Sequence, residues 1–189
     1  MRFLKILWKC ITIWKMKPAT EEELRSADVI IAFSDSKMRD GSLGEGNKII
    51  GQVALDLRNR YFLPVIAQEE ANAAMLAVNF FRGNAEYVVR GTQDGKSHLS
   101  WNTAVIMDRV LKICRLEGWK KLIIATTPDH MPRCIWCAER RGLKAFAADM
   151  PKGQYFHKNL ALPSCRSGSF RFRLRDFLVR IMFLLTGNI

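Results

Sequence analysis

The sequence predicts an α/β fold, a mostly parallel sheet of about five strands covered by helices on both faces as a three-layer α/β/α sandwich. Three observations carry that expectation. Short aliphatic runs recur along the chain, amphipathic helical segments lie between most of them, and Gly118 and Gly142 stand where glycines end helices. Strands alternating with helices fold as parallel sheets with both faces covered. With 189 residues, 49% of them hydrophobic, the chain can bury one core, so residues 18–189 read as a single domain behind a basic segment, 1–17.

The first element is the N-terminal segment. On a helix, Arg2, Lys5, Lys9 and Thr12 form one polar stripe facing Phe3, Leu4, Leu7, Trp8, Ile11 and Trp14. Lys5 and Lys9 interrupt the apolar run, which fits neither a signal peptide nor a spanning helix. Two readings stay open, a helix lying in a membrane interface and an arm packed on its own domain or on a second copy.

Five runs read as buried strands, namely Asp28–Ser34, Pro64–Ala67, Glu86–Arg90, Leu122–Thr126 and Lys144–Ala148. Between most of them, Asn47–Arg60, Glu70–Phe80, Asn102–Glu117 and Asp129–Arg141 read as helices. At the C-terminus, 170–175 alternates as a strand would, whereas 177–185 reads as a helix.

Net charge is +12, from 30 Lys+Arg against 18 Asp+Glu, and its distribution is uneven. The first 17 residues carry five bases and no acid, and 151–189 carries seven bases against Asp176 alone, so the body is nearly neutral. A nucleic-acid groove would put its basic residues on the working face of the fold, so nucleic acid is not expected as a partner. Basic ends suit an anionic membrane surface, met through residues 1–17 and 166–185, or serve solubility. Five cysteines cannot all pair, and a reducing cytoplasm is the expected compartment, with peripheral attachment to the inner face of the membrane as an extension. A homo-oligomer is compatible with all of this.

In a parallel sheet, ligands bind at the carboxyl ends of the strands. After the first strand come Ser34, Asp35 and Ser36, then glycines 41, 44 and 46 with Asn47 opening a helix. Such a loop either cradles a phosphate on backbone N–H groups or is an ordinary turn. It is not a kinase-type loop, because Asn47 displaces Lys48 and Ile49 replaces the residue that would hold Mg²⁺. After the second strand, Glu70 is a first-turn dipole complement or a general base. Asn102 and Thr103 open the helix behind the third. The fourth ends in Thr126, Thr127, Pro128 and Asp129. There Asp129 is expected to cap a helix whose first turn holds a neutral His130, with Arg133 as a fork for phosphate or carboxylate.

His130, Cys134 and Cys137 share a helical face, but zinc would need a fourth ligand from His157 or Cys165, so no metal is expected. The alternative is cysteines packed as small hydrophobes. No cofactor is named by these motifs. The expected ligand is an anionic small molecule. Ser34, Asp35, Ser36, Gly44, Gly46, Asn47, Asn102, Thr103, Thr127 and Arg133 are the candidate binding residues, and His130 and Glu70 the candidate catalytic ones.

In order along the chain, Asp28-Val29-Ile30-Ile31, Ser100-Trp101-Asn102-Thr103, Leu122–Thr127 with His130-Met131 and Arg133, and the late Arg175-Asp176 resemble the YdcF/SanA/ElyC-like family of bacterial proteins, a domain of unknown function. The resemblance spans about 28–185. It implies a Rossmann-like fold and a pocket lined by Asn102, Thr103, His130 and Arg133, with Glu70 as the acidic residue after the second strand. It further implies a nucleotide-like or S-adenosylmethionine-like ligand for one branch and envelope-biogenesis roles for membrane-anchored branches. The chain departs from that pattern at the first loop, where its glycines come late. No reaction comes with the family; transfer of a group or hydrolysis is the expected class if the protein is an enzyme. The alternative is a non-catalytic, membrane-apposed adaptor acting through its basic ends.

Overall fold

A computed structural model of the chain describes residues 16–34, 38–79, 81, 83–90, 102–151, 155, 174 and 176–182. Its elements run α1 (Glu21–Arg25), β1 (Val29–Ala32), α2 (Glu45–Tyr61), β2 (Val65–Gln68), α3 (Glu69–Val78), β3 (Tyr87–Val89), α4 (Asn102–Glu117), β4 (Lys121–Ala125), α5 (Met131–Arg140) and β5 (Lys144–Ala147). The five strands form one sheet in the order β3-β2-β1-β4-β5, every pair parallel. This is the α/β sandwich that the aliphatic runs predict.

Central β1 is buried along its whole length, because it is covered on both faces and both edges are paired. Its Ile30 sits in register with Val65 of β2 and Ile123 of β4, and all three are fully buried. Helix α2 packs on α3 and α4 on α5. At the α2–α3 crossing, Gly51 lets the backbones meet, since a Cβ there would lie 2.9 Å from Met75 N.

Four of the five strands end sooner than the aliphatic runs do, while β2 runs one residue past Ala67 to Gln68. Phe33 N–H still donates to Ala125 O, but Ser34 N–H turns to the side chain of Gln68, so pairing stops before Ser34. The start of β4 is fixed by Asp28, whose Oδ2 accepts from both Lys120 N–H and Lys121 N–H at 2.8 Å. The last turns of α4 and α5 give way to Gly118 and Gly142 at φ 75° and 79°, the left-handed conformation that glycine adopts without a Cβ penalty.

Helix α1 lies outside the helices expected from periodicity. Thr20 accepts from Glu23 N–H and Glu23 accepts from Thr20 N–H, a capping box legible in the spacing Thr-x-x-Glu. Glu21 then receives Arg60 and the Tyr61 hydroxyl of α2, at 2.9 and 2.7 Å.

At the other end of the chain, 176–182 is helical and Val179 enters the core, in line with the helix expected over 177–185 as far as it is described. No helix among the described residues is long and apolar enough to cross a membrane. The amphipathic N-terminal stretch, Asp35, Ser36, Ser100, His157 and Cys165 lie outside the described residues, as does the side chain of Asn102.

Candidate functional site at the carboxyl ends of β1 and β4

Strand order reverses between β1 and β4, because β2 follows on one side of β1 and β4 lies on the other. In doubly wound sheets the loops leaving such neighbours diverge, and ligands bind in the crevice between them. The residues just past the end of each strand therefore decide the chemistry available there.

From β1 come Phe33 and Ser34. The half-buried Ser34 is held twice: its N–H donates to Gln68 Oε1 at 3.2 Å, and its hydroxyl donates to Glu70 Oε2 at 3.1 Å. Gln68 ends β2, and Glu70 stands in the first turn of α3 because that helix starts at Glu69. The carboxylate that would complement a helix dipole thus also serves as acceptor for a hydroxyl on the neighbouring strand.

The loop after β1 reaches α2 at Gly44, the N-cap, with extended φ of −69°. Gly44 has no side chain with which to cap this end, and Gly46 and Asn47 are buried in the first turn. Asn47 N–H donates to Gly44 O at 3.1 Å.

From β4 come Thr126 and Thr127, both buried, and a turn in which Thr127 O accepts from His130 N–H and Met131 N–H. The helix begins one step later than its sequence suggests. His130, not Asp129, is the N-cap, and its side chain does not cap. Pro132 falls in the first turn, where its missing N–H forfeits no helical hydrogen bond.

His130 reaches across the switch point, its ring 6.3 Å from that of Phe33 in an edge-to-face arrangement. Arg133 Nη2 lies 3.0 Å from His130 Nδ1, and a guanidinium can only donate, so Nδ1 is the acceptor. The ring hydrogen then sits on Nε2, which faces Cys134 Sγ at 3.4 Å.

Arg133 is not an open fork as its sequence position suggests. Its Nη1 lies 2.8 Å from Oδ1 of Asp176, and Asp176 Oδ2 accepts from Arg180 Nε at 2.6 Å. The Arg133 contact is an ion pair without good hydrogen-bond alignment, while the Arg180 contact has both. Arg180 also lies over the Trp136 ring, 5.0 Å from its centroid. All three charged groups are buried, with Asp176 only 1% exposed. Among the described residues, Asp176 thus meets two guanidinium groups. Arg133 Nε and Thr126 Oγ1 are buried there without a hydrogen-bond partner among the described residues.

Burial pushes the Cys134 thiol well above its ordinary value and Cys137 up to about 11. Both are free thiols packed as small hydrophobes. Among the described residues no three His, Cys, Asp or Glu side chains gather as a metal group.

The structure thus joins Ser34 to Glu70 and His130 to Arg133. Gly44, Gly46 and Asn47 stand on the loop and helix that follow β1. Thr103 is buried in the first turn of α4, a helix that packs on α5 through Arg141, which meets Asp108 at 2.7 Å and the Ala104 carbonyl at 3.3 Å. Gln68 and the Asp176–Arg180 pair were not among the sequence candidates. The pair had a signal, an acid four residues before a base within an apolar helical run.

The sequence matches no protein-family model. It has no match among curated proteins.

Proposed function

We propose that the protein binds a phosphorylated or nucleotide-like small molecule in the crevice between the carboxyl ends of β1 and β4. The observation that carries this reading is that Ser34, paired with Glu70, and His130, paired with Arg133, follow the two adjacent strands where sheet order reverses. The guanidinium groups of Arg133 and Arg180 and the N-terminus of α2, which opens on Gly44, both favour an anion. Glu70 is positioned to take a proton from the Ser34 hydroxyl or from a ligand hydroxyl, the general-base step that hydrolysis or group transfer needs. The ordered motifs resembling the YdcF/SanA/ElyC-like family support the same class of ligand.

Thermal unfolding of wild type, Ser34→Ala and Glu70→Gln with nucleotides, S-adenosylmethionine, sugar phosphates and prenyl phosphates tests the proposal. A ligand at about 100 times its Kd adds about 2.7 kcal/mol, a shift of about 5–11 °C at this chain length. The expected result is such a shift in wild type, diminished in the variants. No shift from any of these ligands, or an equal shift in all three proteins, overturns it.

A further inference from the structure

We infer that Asp176, from the C-terminal helical segment, is a positioning residue that holds Arg133 against His130 and so fixes the state of the imidazole at the crevice. The chain of contacts is continuous. Arg180 Nε donates to Asp176 Oδ2 at 2.6 Å, Asp176 Oδ1 meets Arg133 Nη1 at 2.8 Å, and Arg133 Nη2 donates to His130 Nδ1 at 3.0 Å. Each guanidinium nitrogen of Arg133 that points along this chain has one task, so the rotamer that pairs with Asp176 is the one that reaches His130.

Length and burial make the carboxylate the determining partner. Arginine carries substantial rotamer freedom, and a solvated guanidinium would leave His130 for water. Asp176 forbids that, because it is 1% exposed and an unpaired buried carboxylate is costly. Arg180 in turn fixes Asp176 from one turn along the same helix, with Trp136 of α5 against its guanidinium. The last described helix therefore does more than close the core with Val179. It sets which nitrogen of His130 bears the hydrogen, some 46 residues away along the chain. A ring held with Nδ1 as acceptor keeps its one hydrogen on Nε2, toward Cys134 Sγ.

This inference rests on His130 belonging to the proposed site, but its test needs no ligand. Nitrogen–proton correlation spectra of the imidazole and guanidinium groups are recorded for full-length wild type, Asp176→Asn, Arg180→Met and the double variant. Wild type is expected to show a single His130 tautomer, with hydrogen on Nε2, and a slowly exchanging Arg133 guanidinium. Asp176→Asn is expected to give an averaged pair of tautomers and a fast-exchanging Arg133, whereas Arg180→Met, which keeps the Asp176–Arg133 pair, retains the wild-type His130 pattern. If Asp176→Asn does not fold, the double variant serves, because it leaves Arg133 as the single buried charge and preserves the net charge of the cluster. An unchanged His130 tautomer and Arg133 exchange rate in a folded Asp176 variant overturns the inference. So does failure of both Asp176 variants to fold, since the carboxylate is then a requirement of folding. A thermal-shift screen without ligand response beside the expected spectra would leave the positioning role standing and remove the binding proposal alone.

Discussion

Ser34 and Glu70 lie 36 positions apart in sequence, and the Ser34 hydroxyl donates to Glu70 Oε2 across 3.1 Å. The contact exists because β1 and β2 are parallel neighbours in register, with Ala32 beside Ala67, so both chains leave the sheet at the same level. Ser34→Ala removes a donor from a half-buried carboxylate and should cost about 1 kcal/mol in urea unfolding. Glu70→Gln keeps the shape and an acceptor oxygen, so it should change stability less. If Glu70 takes a proton during turnover, Glu70→Gln should lower the rate by about 10²–10⁴-fold with binding little changed. Equal rates in both proteins would remove that role.

Asp28 ties the start of β4 to the start of β1 through two N–H groups of consecutive lysines. Asp28→Ala should cost about 1–3 kcal/mol, the penalty for a donor left without a partner. Asp28→Asn retains an acceptor oxygen and should recover much of it. Chemical denaturation of the three proteins orders them, and a stable alanine variant would show that water replaces the carboxylate.

Gly51→Ala carries opposing effects. Alanine is favoured over glycine inside a helix by about 0.5–1 kcal/mol. Its Cβ would nevertheless lie 2.9 Å from Met75 N and 3.0 Å from the Ala74 carbonyl carbon, backbone atoms that cannot swing aside. Overpacking of this kind costs about 1–3 kcal/mol, so the variant should be destabilised, with a lower urea midpoint. A raised midpoint would mean that α2 and α3 separate readily.

Buried thiols give the pH dependence its alkaline side. Burial raises Cys114 and Cys137 from an ordinary value of 9.0 up to about 11, and Cys134 shifts the same way. A thiol whose folded pKa is raised stays protonated while its unfolded counterpart ionises, so the unfolded chain gains above about pH 9. Stability from this source should be intact below pH 9.0 and fall as pH climbs toward about 11. Urea midpoints across that range measure it. The same burial should protect Cys114, Cys134 and Cys137 from iodoacetamide at neutral pH until the chain unfolds, as peptide mass mapping would report. Rapid alkylation of the native protein would contradict it.

Much of the fold is written locally. Ile30-Ile31 and Leu122-Ile123-Ile124 are aliphatic because their strands are buried on both faces, and Gly118 and Gly142 are glycines because the chain turns left-handed there. Helix α1 was also legible, in Thr20-x-x-Glu23, though too short for hydrophobic periodicity to reveal. His130, Arg133, Ser34 and Glu70 could be nominated as polar groups following strands, since that position depends only on local sequence. Their partners could not. Which strands become neighbours, and so whether Ser34 meets Glu70, depends on sheet order, a property of the whole chain. The role of Arg133 is decided the same way. Local sequence offers a cation at a helix start, and only the packing of 176–182 against α5 brings Asp176 to it, because a buried guanidinium must find a carboxylate wherever the fold supplies one.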